Sequence, residues 1–351
     1  MLFNYIYISH DMEKMQKYMD FIFFEVWCKA KKNKPYKFYL FNRHKELKNI
    51  IVKLYHSDSQ GSDLFMRCLE DIYCVFQKFA DGEKAKLKKW YQKTTDIKKL
   101  CNNERGYVPI NYKKLSNFHS KLSDKLKTLY DLLYGSNPIN ELKEFKSYTT
   151  TIGEHYKEFM KINNKGICPF CGLLDMLGTY DEKKEDYDHF LPKSKYPFNS
   201  INFKNLAPMC HKCNSKYKHS KDPIFDKDGN RRKAFYLYGL TDTNINVKVN
   251  INSFNDIKPE NITLTITAPE QERVDTWIEL FGIEKRYKAF LSYKSNGKYW
   301  LEQFEDELKE IPLNKEQYLK IKKKQFIKNP YYEKNFLKVA FFEAYQNKIE
   351  N

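Results

Sequence analysis

The stretch that decides the fold is 205-NLAPMCHKCNSKYK-218, because it holds the second of two Cys-x-x-Cys pairs. The first is 168-CPFC-171, with Gly172 directly after it as a knuckle turn requires. Each pair presents two thiolates at the spacing of a zinc knuckle. Four thiolates complete a closed, tetrahedral Zn2+ site that leaves no open position for chemistry. Cys168, Cys171, Cys210 and Cys213 are therefore expected to form one structural zinc site that stabilises the fold around it. His211, inside the second pair, is a weaker competitor as a ligand. Cys28, Cys68, Cys74 and Cys101 stand singly in apolar helical contexts and read as free buried thiols. This usage fits a reducing compartment and a metal rather than a disulfide framework.

A zinc frame alone does not imply catalysis, so what it encloses matters. Between the pairs lies 186-DYDHFLPKSKYPF-198, where a carboxylate and an imidazole adjoin at Asp188-His189. From His189 to Lys221 the chain carries seven lysines, including Lys193, Lys195, Lys216 and Lys218, and no Asp or Glu. A basic lip cleared of acids suits contact with a phosphate backbone.

The order CxxC, then 188-DHFLPKS-194, then 205-NLAPMCHKCNSKYK-218 resembles the HNH endonuclease family, the ββα-metal nucleases. The resemblance covers residues 165–222, and its specificity lies in the combined spacing rather than in any one element. It implies a metal-dependent endonuclease with His189 as general base, since a neutral imidazole takes a proton near neutral pH. It implies Asp188 and Asn214 as ligands of one catalytic divalent metal. Many family members carry a histidine where Asn214 stands. An asparagine oxygen favours Mg2+ or Mn2+. Adjacent residues on a strand face opposite ways, so Asp188 and His189 can take separate roles. Asn205 is implied to hold the hairpin loop and orient His189. Lys193, Lys195, Lys216 and Lys218 are the candidate nucleic-acid contacts. The family's usual lysine, three residues past the last motif residue, is Tyr217 here, flanked by Lys216 and Lys218.

The rest of the 351-residue chain sets the context. A net charge of +17 favours a polyanionic partner, with DNA favoured over RNA. The fold class expected is α+β. A helical region over 1–162 precedes the cysteine module over 163–225, and a C-terminal region over 226–351 starts with two strands and ends in helices. The segment 120-SKLSDKLKTLYDLLYG-135 sets leucines on one helical face, ended by Gly135 and Pro138, and 139–162 continues in the same style. The runs 244-NINVKVNINSF-254 and 261-NITLTITA-268 alternate and read as strands. Helices follow over 269–293, 314–328 and 332–346. No segment reads as membrane-spanning or secretory, so a cytoplasmic protein is expected. By analogy with HNH proteins that have helical flanks, the resemblance implies a restriction or phage-defence role and a protein partner such as a defence-system ATPase. The competing expectation is a zinc-stabilised nucleic-acid-binding module or complex subunit without catalytic activity of its own.

Overall fold

The computed structural model describes residues 1–134, 143–240 and 243–350. These residues are mostly helical, with two small antiparallel two-stranded sheets and a buried four-cysteine cluster, an α+β arrangement. No helix among them is long and apolar enough to cross a membrane.

The helical part is built on amphipathic spacing. In Gln60–Phe76 the residues Phe65, Cys68, Leu69, Ile72 and Phe76 are buried, recurring every three or four positions. This face packs on Ser120–Leu133, which buries Leu122, Leu126, Leu129 and Leu133. Gly135 and Pro138 lie outside the described residues. The stretch after them forms two helices, Lys143–Thr149 and Ile152–Asn163. Cys28, Cys68 and Cys101 are buried, but Cys74 is exposed, because its position on Gln60–Phe76 falls on the solvent side of the helix.

The first ten residues depart from the helical expectation. They run extended, and a parallel bridge joins Tyr5 to Tyr238. The Leu2 amide donates to the Pro169 carbonyl at 2.8 Å, and the Tyr5 hydroxyl donates to the Pro208 carbonyl at 3.0 Å. An apolar run gains more here by filling the cysteine-block core than by helical propensity, and backbone pairing satisfies its polar groups.

Two hydrophobic clusters result. One joins the helices from Met15 to Phe145 and takes in Phe198 and Ile201 from the cysteine block. The other gathers residues 1–12, Ile97 to Cys101, the cysteines and the C-terminal helices. In the C-terminal part, β3 (Asn246–Ile251) and β4 (Ile262–Thr267) pair antiparallel. The buried alternate residues Val247, Val249 and Ile251 follow the pleat. The helical run expected over 269–293 is broken into Gln271–Phe281 and Ile283–Ser292 at Gly282. Gly282 has φ +61°, and a Cβ there would meet the Tyr217 ring at 2.9 Å, so the break requires glycine.

Helix Ile152–Asn163 buries His155 against Phe159, Tyr187 and Phe203. Burial, with a smaller push from His10, drives its pKa down to about 3. The unfolded chain takes up this proton near the ordinary histidine value while the native fold does not. The contribution of His155 to stability is therefore constant above that value and falls as pH drops toward 3, by at most about 1.4 kcal/mol per pH unit. Urea midpoints between pH 7.5 and 4.5 should show this acid slope in the native chain and a slope lower by one proton in His155→Gln. Equal slopes in the two proteins would refute the assignment.

Candidate active site and metal centre

Strand β1 (Tyr187–His189) pairs antiparallel with β2 (Leu206–Pro208), setting Asp188 opposite Ala207 and His189 opposite Leu206. From β2 the chain passes through Met209 and Cys210 into the helix Lys212–Lys218. That helix winds as a π-helix: the His219 amide donates to the Asn214 carbonyl, five residues back, at 2.8 Å.

The sulfurs of Cys168, Cys171, Cys210 and Cys213 lie within 4.8 Å of one another, and all four residues are buried. Zinc–sulfur bonds of about 2.3 Å in a tetrahedron set sulfurs about 3.8 Å apart. The Cys171 and Cys210 sulfurs stand at 4.0 Å, so this donor set fits a structural Zn2+. Gly172, at φ +67°, leaves the turn after Cys171, and a Cβ there would strike Leu2 and Phe336. The Arg286 guanidinium donates to the Cys213 sulfur at 3.2 Å and lies over the Tyr217 ring. A cation there offsets the excess negative charge of a four-thiolate zinc site. His211 is exposed and lies outside the cluster.

Asp188 and His189 face different surroundings. His189 Nε2 is 2.9 Å from the Ser200 carbonyl oxygen. A carbonyl only accepts, so Nε2 carries the hydrogen and Nδ1 is left as an acceptor. Tyr134 meets the imidazole edge to face at 4.5 Å between ring centres. Burial holds the His189 pKa down at about 3, against the Ser200 hydrogen bond and with help from Lys193 and Lys218, so the ring is neutral at pH 7. Asp188 is buried with Lys218: the ammonium lies 2.9 Å from Oδ2 and 3.1 Å from Oδ1, and donates to the His189 carbonyl at 2.8 Å. Burial raises the Asp188 carboxyl above its ordinary range, and Lys218 opposes that rise.

Asn205 is fully buried. Its Oδ1 accepts from the Leu191 amide at 2.8 Å, and its Nδ2 donates to the Leu191 carbonyl at 3.0 Å. It thereby ties the end of the hairpin back on Leu191, the second residue after β1. Asn199 and Asn202 anchor the same loop to the Thr94 and Thr95 carbonyls of the helical part. Asn205→Ala would leave two buried backbone groups unpaired, at a cost of about 2–4 kcal/mol. Denaturant midpoints would measure this, and a loss under about 1 kcal/mol would refute the pinning role.

Asn214 is half-buried, and among the described residues its amide has no side-chain partner. The four lysines expected on the lip do not share one surface. Lys195 and Lys216 are exposed, with Lys195 reaching Asp222 only at 3.9 Å. Lys193 is half-buried and donates to the Tyr134 carbonyl at 2.6 Å. Lys218 has no exposed surface, so as folded it is no surface contact for a phosphate; the π winding turns it inward onto Asp188.

Sequence reasoning missed Tyr134, Ser200 and Arg286. Ser200 acts through its backbone and leaves no residue-type signal. Arg286 did leave one: it falls between Ile283 and Tyr287 on the buried face of its helix, where an unpaired charge needs a partner. A cavity of about 720 Å3, lined by Tyr36, Phe38, Tyr55, Met66, Arg67 and Glu70 among others, lies in the helical part and touches none of these residues.

The chain is thus a mostly helical protein organised around a buried four-cysteine centre. No family model matches it, and no solved structure matches it. It is 38% identical over 81 residues to Septu protein PtuB of Bacillus thuringiensis, across 21% of this chain and 29% of that protein. The likeness therefore concerns a part of each chain, and it spans under a third of the relative's length.

Proposed function

We propose that this chain is a metal-dependent HNH endonuclease that hydrolyses phosphodiester bonds of DNA, serving in phage defence beside a protein partner such as an ATPase. The observation that supports it is one juxtaposition. Asp188 and His189 lie on a strand laid against β2, and β2 leads directly into the helix carrying Asn214, with the cysteine cluster at its root. The partial likeness to a Septu protein extends a Septu-type role to this chain within the proposal.

Asp188 and Asn214 would hold Mg2+ or Mn2+. Asp188 Oδ2 is buried without a well-directed hydrogen bond, despite Lys218 at 2.9 Å, and the Asn214 amide is unpartnered among the described residues. Hard oxygen donors of this kind suit either cation. When bound, the metal supplies charge neutralisation at the phosphate and the leaving oxygen. His189 accepts a proton from water at Nδ1, with its tautomer fixed by Ser200 and its rotation limited by Tyr134. Lys195 and Lys216 meet the backbone phosphates.

The test is incubation of the purified chain with supercoiled plasmid, linear duplex, single strands and tRNA, in Mg2+ and in Mn2+. Plasmid cleavage that requires the metal is the expected result. The second reading is a zinc-stabilised nucleic-acid-binding module or complex subunit with no catalysis of its own. It is favoured by the Lys218 ammonium, which already neutralises Asp188. Binding without cleavage of any substrate would select it.

A further inference from the structure

We infer that Lys218 is a resident cation that closes the Asp188 metal position, and that divalent metal enters only when the helix Lys212–Lys218 releases this side chain. The inference rests on the metal-dependent reading above.

The geometry is that of a bound cation. The Lys218 ammonium touches three oxygens, both of Asp188 and the His189 carbonyl, at 2.8 to 3.1 Å. The Phe190 ring lies beneath it at 5.9 Å. An ammonium and a dication on one buried carboxylate repel strongly, because little water lies between them to screen the charges. The two occupancies therefore exclude each other.

The helix that delivers Lys218 is poised to change. All seven residues of Lys212–Lys218 wind as a π-helix, a form found mostly as single-turn bulges and frequently at functional sites. The winding ends at His219, whose φ of +46° with ψ of −120° lies outside the regions open to residues with a side chain. The wider turn lets Lys218, four residues past Asn214, reach into the hairpin. Rewinding to α-helical bonding would rotate Lys218 about the helix axis and draw it off Asp188. Ser220 and Lys221, which follow, are exposed and leave room for that movement. Tyr217 packs against Arg286 and Gly282, so the rotation must also draw this ring out of that contact.

Mn2+ binding to the zinc-loaded full chain, read by electron paramagnetic resonance rather than by activity, tests this. A latch shut nine times in ten weakens apparent affinity about tenfold, so Lys218→Met should bind Mn2+ about tenfold more tightly than the native chain, and Asp188→Asn should not bind it. Equal or weaker binding by Lys218→Met overturns the latch alone. Absence of Asp188-dependent binding in both proteins overturns the latch together with the metal-dependent reading. Hydrogen exchange on the native chain provides the second measurement, independent of whether Lys218→Met folds. Saturating Mn2+ should change exchange of the His219 amide, whose acceptor passes from Asn214 to Ser215 on rewinding, and an unchanged rate overturns the inference.

Discussion

Cys168→Ser should lose its zinc and its C-terminal core in the same step. Cys168 is fully buried, and its neighbours tie the knuckle to distant helices. Trp277 donates from its indole to the Phe170 carbonyl at 2.8 Å, and the Tyr287 hydroxyl donates to the Cys171 carbonyl at 2.9 Å. Both residues belong to the cluster that also takes in Leu2, Tyr5 and Phe159. A structural zinc contributes about 10–16 kcal/mol of apparent binding energy. The whole stability of a typical domain is about 5–15 kcal/mol. Three remaining thiols cannot hold the ion in a closed site, and what is left is a set of buried thiols around Arg286 with no metal to bind them. The native chain should carry about one zinc per molecule, and the variant close to none. The melting temperature should fall by about 10 °C or more. Native protein purified without zinc, or a variant that melts with the native chain, would refute the four-cysteine centre.

On the endonuclease reading proposed above, His189→Ala should abolish cleavage while zinc content and melting behaviour stay close to native. The side chain makes one hydrogen bond, to Ser200, and one ring contact, to Tyr134, so its removal costs the fold about 1 kcal/mol. Loss of a positioned general base costs about 10²–10⁴-fold in rate. The contrast with Cys168→Ser is the informative part: one substitution removes the fold and the other removes only the chemistry. Plasmid nicking within about tenfold of native in His189→Ala would place the base elsewhere.

The parts legible in the sequence were those carried by residue type at short spacing. The two cysteine pairs, the leucine face of Ser120–Leu133 and the alternation in β3 and β4 all follow from local pattern, while the β1–β2 hairpin was implied by the family resemblance. What escaped was decided by contacts between distant residues. The first ten residues lie extended because Pro169, Pro208 and Leu237 offer them partners, which no local propensity reports. Lys218 reads as one more lysine on a basic lip until the helix is seen to wind five residues per bond. That Tyr217 stands where the resembled family carries lysine was visible in the sequence; that Lys218 beside it turns inward was not, because spacing alone does not encode helix winding. Cys74 reads as apolar by its neighbours, and only the pitch of Gln60–Phe76 turns it outward.

The hairpin is braced by two tyrosines, and this bears on the order of assembly. The Tyr5 hydroxyl reaches the Pro208 carbonyl and the Tyr238 hydroxyl reaches the Leu206 carbonyl, gripping β2 with residues from far upstream and from the segment after the cysteine block. Leu2 in turn accepts from Thr243 and from Tyr331. During synthesis Tyr5 emerges first and has nothing to grip until β2 follows, and β2 waits again for Tyr238. β2, though it sits near the middle of the chain, is thus fully gripped only once the segment carrying Tyr238 has also been made.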